Sequence, residues 1–207
     1  MSCVSVLWTV LSVLFTGACS LAIISPFWFE RVPDPDDVSS DNSSFVAFGL
    51  LRFCIKRNLE SILEMDEWSD FKNCKFYSSF HGIPSLFWKF SVVLYGIGVL
   101  LLLVAILLAH ISCCFKKVCK RSVFGVAGVV QISAVIFLVI SLVMFPLGFK
   151  SQFVSQHCGL TDMFNPGQCS ISWAYTLAIM STGLLMLCPV MARHLMVTTP
   201  MAKATVV

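Results

Sequence analysis

Charge is what this chain has least of. Charged residues are 12% of its 207 residues, about half the share in an ordinary soluble domain, beside 57% hydrophobic residues and a mean hydropathy of +0.87. The scarcity is uneven. Ten of the eleven carboxylates (Glu30, Asp34, Asp36, Asp37, Asp41, Glu60, Glu64, Asp66, Glu67 and Asp70) lie between Ser25 and Lys89, and Asp162 sits in a shorter stretch. Signature motifs are missing too. There is no glycine-rich phosphate loop, no His-Glu-x-x-His and no nucleophile elbow, so the chain is not expected to be an enzyme. His81 and His157 have no ligand spacing to cysteine pairs, so neither a metal nor a cofactor is expected. The net charge of +3 comes from separate clusters without interleaved aromatics, and nucleic acid is not an expected partner.

What is present is apolar length. Four uncharged runs, Val4–Ile24, Phe90–Ala109, Ser122–Phe149 and Ile171–Ala192, each supply the roughly 20 helical residues that cross a ~30 Å hydrocarbon core. The first lacks a basic start and continues past Gly17-Ala18-Cys19, which reads as a retained helix and not a cleaved leader. The expectation is one tetraspan domain over residues 1–207, all-α in the membrane with a small extracellular β-sheet. Its helices fall at about 4–24, 88–110, 122–145 and 171–192, with outer loops 25–87 and 146–170 and a cytoplasmic loop 111–121. That last loop holds Lys116, Lys117, Lys120 and Arg121 with no acid. Short basic loops stay in the cytoplasm, so four spans place both termini there and both acidic loops outside. No carboxylate, histidine or lysine lies inside the spans, which argues against a proton relay or ion path within one copy.

The outer loops carry most candidate sites. Asn42-Ser43-Ser44 is an N-glycosylation sequon on Asn42. The stretch Phe45–Ile55 reads as one strand and Lys72–Tyr77 as a second, weaker one. Cys54, Cys74, Cys158 and Cys169 are an even set in an oxidising compartment. Of their three connectivities, 54–74 with 158–169 is favoured because each closes a short loop. Phe45, Phe48, Arg52 and Phe53 are candidate partner contacts, since aromatics and arginine dominate hot spots; the competing reading is the packed core of the sheet.

Within the spans, Gly125, Gly128 and Gln131 share one face of the third helix, and Ala174, Ala178 and Thr182 one face of the fourth. Small faces let helices approach closely and a buried amide can bridge them. Pro189 is expected to kink the last turn. At the cytoplasmic side Cys113, Cys114 and Cys119 are candidate palmitoylation sites, against the reading of reduced, unmodified thiols. Thr205-Val206-Val207 matches a PDZ ligand through Thr205 and Val207, against the preferred reading of a short tail.

The chain resembles the lipoma HMGIC fusion partner-like tetraspan family, a branch of the claudin-like superfamily. Carrying the resemblance are Leu7-Trp8-Thr9, Pro26-Phe27-Trp28 and Phe48-Gly49-Leu50-Leu51-Arg52-Phe53-Cys54. The second half adds Lys120-Arg121-Ser122-Val123-Phe124, Phe145-Pro146-Leu147-Gly148, Cys158-Gly159, Pro166-Gly167-Gln168-Cys169-Ser170 and Trp173-Ala174. The basic loop and third helix are most similar to the family's second member. The wider claudin signature has a tryptophan where this chain has Leu51, which counts against a strand-forming claudin and leaves Trp28 as the packing tryptophan. The resemblance implies a left-handed four-helix bundle under a sheet drawn from the first loop. It also implies an auxiliary subunit, as in the hair-cell mechanotransduction complex or inhibitory neurotransmitter-gated chloride channels. The expected partners are the bilayer and another integral membrane protein, a channel or receptor subunit, at the plasma membrane. Claudin-like adhesion through self-association is the alternative.

Overall fold

Backbone in hydrocarbon must satisfy its own polar groups, and a helix does so within one segment. The computed structural model describes residues 3–31, 45–56, 74–114 and 122–190. Its helices are α1 (Cys3–Ile24), α2 (Leu86–Cys114), α3 (Ser122–Leu147), a short α4 (Gln152–Cys158) and α5 (Trp173–Leu185). All but α4 belong to segments long and apolar enough to cross a membrane, the last running from Trp173 to Val190.

The bundle is held unequally. α2 and α3 pack along most of their length, α5 leans on α1, and α3 touches α5 only lightly. At the tight seam Ser91 donates to the Ser141 carbonyl at 2.6 Å and Ser141 returns a bond to the Ser91 carbonyl at 2.8 Å. A side chain at Gly98 would meet Leu138 at 2.8 Å, so glycine sets that approach. Gln131 is 1% exposed; its amide accepts from the Trp8 indole at 3.3 Å and donates to Ser12 at 3.1 Å. One residue thus ties α3 to two turns of α1. Ala174, Ala178 and Thr182 are buried on α5, and Gly128 is buried and Gly125 half-buried on α3.

Above one end of the bundle lies a five-stranded sheet in the order β4-β3-β2-β1-β5, formed by β1 (Phe29–Arg31), β2 (Phe45–Phe48), β3 (Arg52–Lys56), β4 (Lys75–Phe76) and β5 (Ser170–Ile171). Every neighbouring pair is antiparallel. Its period of two puts Phe29, Val46, Phe48, Phe53 and Ile55 toward the bundle, and Phe45, Ala47 and Cys54 on the opposite face. Cys54 is bonded to Cys74, and Cys158 to Cys169.

Three expectations are corrected. Phe45–Ile55 is a hairpin and not one strand: Gly49 lies against the Ser25 carbonyl and Pro26, leaving no room for a side chain, and its N–H bonds the Arg52 carbonyl at 2.9 Å. The sheet draws on both loops, because β5 pairs with β1 through Phe29↔Ile171 and Glu30↔Ser170. Pro189 acts earlier than its own turn. Having no N–H for the Leu185 carbonyl, it follows a break at Met186, whose N–H bonds Gly183 at 3.2 Å before helix resumes over 187–190.

Candidate functional site

The sheet meets the bundle through aromatic side chains. Trp28, Phe29, Phe48, Trp88, Tyr95, Phe145, Phe149 and Tyr175 are all buried. Trp28 stands edge-on to Phe145 at 4.9 Å and to Tyr95 at 5.6 Å, while Trp88 stacks on Phe145 at 5.0 Å and leans on Phe48 at 5.3 Å. Rings at 4.5–7 Å in edge or offset geometry attract beyond their area. This hub joins α1, α2, α3 and α5 to β1 and β2.

Each polar handle in the hub ends on a helix carbonyl. The Trp28 indole donates to Ala22 at 2.7 Å, Trp88 to Phe145 at 2.9 Å, Tyr95 to Cys19 at 3.3 Å and Tyr175 to Leu142 at 2.9 Å. Two of these carbonyls are vacant for a known reason. Ala22 is four residues before Pro26 and Leu142 four before Pro146, and proline has no N–H to close the helical bond. An aromatic donor fills both places, which is why α3 runs through Pro146 to Leu147.

Among the described residues, two exposed features lie outside the spans. On the outer face of the sheet the Arg52 guanidinium sits 3.9 Å over the ring of Phe76, itself 56% exposed. On the second loop Leu160, Met163 and Phe164 project into the open, Leu160 at 96%. That loop is closed by the Cys158–Cys169 bond and by Gln168 N–H on the Cys158 carbonyl at 2.8 Å. Beneath the hairpin, Tyr77 packs against Phe53 at 5.1 Å with its hydroxyl buried and unbonded, and burial pushes its phenol well up.

Phe45 and Phe48 are 3% and 0% exposed, so they belong to the interior and not to a contact surface. Arg52 and Phe53 are partly exposed, and Phe53 packs on Tyr77 and Phe153. Asn42, Cys119, Thr205 and Val207 lie outside the described residues, as do the side chains of Cys113 and Cys114 at the end of α2. Among the described residues no group of three His, Cys, Asp or Glu side chains could hold a metal. Trp28 and Gln131 are legible in the sequence, whereas Trp88, Tyr95 and Tyr175 emerge only in the fold. The signal for Tyr175 was Pro146 within an apolar run, which obliges some donor to reach Leu142.

A family model described as "Lipoma HMGIC fusion partner-like protein" matches residues 4–195. The chain is 29% identical over 212 residues to LHFPL tetraspan subfamily member 2a protein of Danio rerio, covering 98% of this chain and 91% of that one. LHFPL tetraspan subfamily member 2 protein of Homo sapiens is 27% identical over the same shares. LHFPL tetraspan subfamily member 7 protein of Xenopus tropicalis is 28% identical over 195 residues, 93% of this chain and 91% of that one.

Proposed function

We propose, from the premise that this chain belongs to the lipoma HMGIC fusion partner-like family, that it is a non-catalytic auxiliary subunit assisting the assembly or delivery of a channel or receptor. It is a multi-pass membrane protein with a claudin-like four-helix bundle under an antiparallel sheet. Its compartment is the plasma membrane, its termini are cytoplasmic by the basic loop, and the sheet faces outside.

The observation that carries this reading is where the polar groups of the bundle go. Gln131, Ser91, Ser141, Trp28, Trp88, Tyr95 and Tyr175 all bond to neighbouring helices or to the backbone. Such an interior serves cohesion. Among the described residues, the surface left to offer includes apolar helix faces in the bilayer and the Arg52–Phe76 pair above it. Arginine stacked on an aromatic ring is held in place at low entropic cost, as a contact residue should be.

Purification of the full chain from native membranes in gentle detergent tests the reading. A channel or receptor subunit should copurify in fixed proportion, and Arg52→Ala should lower that recovery while monomer folding is retained. Recovery of only the chain itself or other tetraspans would replace this reading with junctional self-assembly.

A further inference from the structure

Where α3 and α5 diverge, a groove of about 400 Å³ opens on the side of the bundle. Val139 and Val143 of α3 form one wall, Ile179, Gly183 and Met186 the other, and Phe164 of the second loop covers the mouth on the sheet side. Tyr175 and Met186 both line it, so at 1.5 Å per residue it runs about 16 Å along α5. That is roughly one leaflet of a ~30 Å core. Spread over that length, the volume leaves a cross-section of about 25 Å², roughly 5 Å across, which suits a single hydrocarbon chain and is about half the ~10 Å diameter of a helix. The lining is apolar apart from Thr182 and the Tyr175 phenol, and the latter is spent on Leu142.

Phe164 is held over the mouth against its backbone preference. Its φ is +64°, and among the described residues it is the one non-glycine in the left-handed region, which a bulky side chain rarely enters. Reciprocal backbone bonds between Asp162 and Asn165, both 3.0 Å, and the Asp162 carboxylate on the Met163 N–H at 2.8 Å keep the turn. Thr161 ties the loop to the Phe149 carbonyl at 2.9 Å, in the 3-10 turn that follows α3. Leu160 and Met163 are exposed on the same tip.

We propose that this groove holds one acyl chain of a lipid in the sheet-side leaflet, with Phe164 as its stop and Leu160 and Met163 lying in the interface. The groove is continuous with the lipid-facing surface of α3 and α5, where Val143 and Met180 are exposed. A spanning helix, from a partner or a second copy, would need a seat twice as long and would meet Phe164 at the loop.

The full chain in nanodiscs made with a phosphatidylcholine bearing a diazirine on one acyl chain tests this by photolysis and peptide mapping. Ile179 and Met186 should be labelled severalfold above Leu14 of α1 and Leu100 of α2, which are at least as exposed to the bilayer. Gly183→Phe should bring groove labelling down to the level of Leu14; a side chain there meets nothing within 4 Å, so the fold should persist. Ile179→Trp serves as a second filling variant, read at Met186. Even labelling over all four helices would overturn the proposal, and so would crosslinks from the groove to a second copy or another protein in place of lipid.

Discussion

The hydroxyl of Tyr175 donates to the carbonyl of Leu142 at 2.9 Å, the carbonyl that Pro146 leaves without a partner. The Trp28 indole does the same for Ala22, four residues before Pro26. In a bilayer no water can take either place. Two helix irregularities thereby become two attachments, one fixing α5 to α3 and the other fixing the start of the sheet to α1.

Tyr175→Phe should lower stability by about 1 kcal/mol, the usual value of such a bond in a membrane protein. In a Pro146→Ala background the restored N–H can serve Leu142, so the same substitution should cost clearly less. Thermal unfolding of the four proteins in one detergent gives the cycle. Equal costs in both backgrounds would refute the explanation.

Gln131→Leu removes the acceptor of the Trp8 indole and the donor to Ser12, both buried bonds between α3 and α1. A loss of roughly 1–3 kcal/mol is expected. Adding Trp8→Phe should cost less in this background than in the wild type, since its bond to Gln131 is already gone. Denaturation midpoints of the single and double variants decide the matter.

A Cβ on Gly148 would fall within the indole of Trp88. Gly148→Ala should therefore push Trp88 off the Phe145 carbonyl and cost about 1–3 kcal/mol, as overpacking does. Its tryptophan emission should shift red as well. An unchanged melting temperature and spectrum would mean that the ring moves aside freely.

Tyr77→Phe should be neutral or mildly stabilising at pH 7, because it deletes a buried hydroxyl that bonds nothing. At high pH the difference should grow. The native phenol is held above its ordinary value of 10.0 by burial, so above about pH 10 the unfolded chain loses a proton that the folded one keeps. Wild-type stability then falls with pH, and that contribution is absent from the variant. Parallel stability curves from pH 8 to 11 would contradict this.

Much of the bundle could be read from composition, because spans need only apolar length. Gly128, Gln131, Ala174, Ala178 and Thr182 are buried, and small residues at helical spacing beside a lone amide carry that signal. The sheet was less legible. β1 and β5 are three and two residues long, too short for any alternation to register, and they exist because helix ends bring Phe29 and Ile171 together. Phe45 and Phe48 looked like contact residues because aromatic composition serves core and interface equally. Phe164 carries no signal at all, since its position depends on a turn set by Asp162 and Asn165.

The pairing of β1 with β5 also bears on timing. Phe29 is made early and its partner Ile171 142 residues later, an interval of roughly 10–30 s at ordinary rates of synthesis. Throughout it the outer edge of β1 has open hydrogen-bonding groups, the feature that invites foreign strands. Closing that edge requires β5, which stands immediately before the last span. A chain stopped short of Ser170 would leave that edge of β1 bare, and a chain that includes β5 covers it.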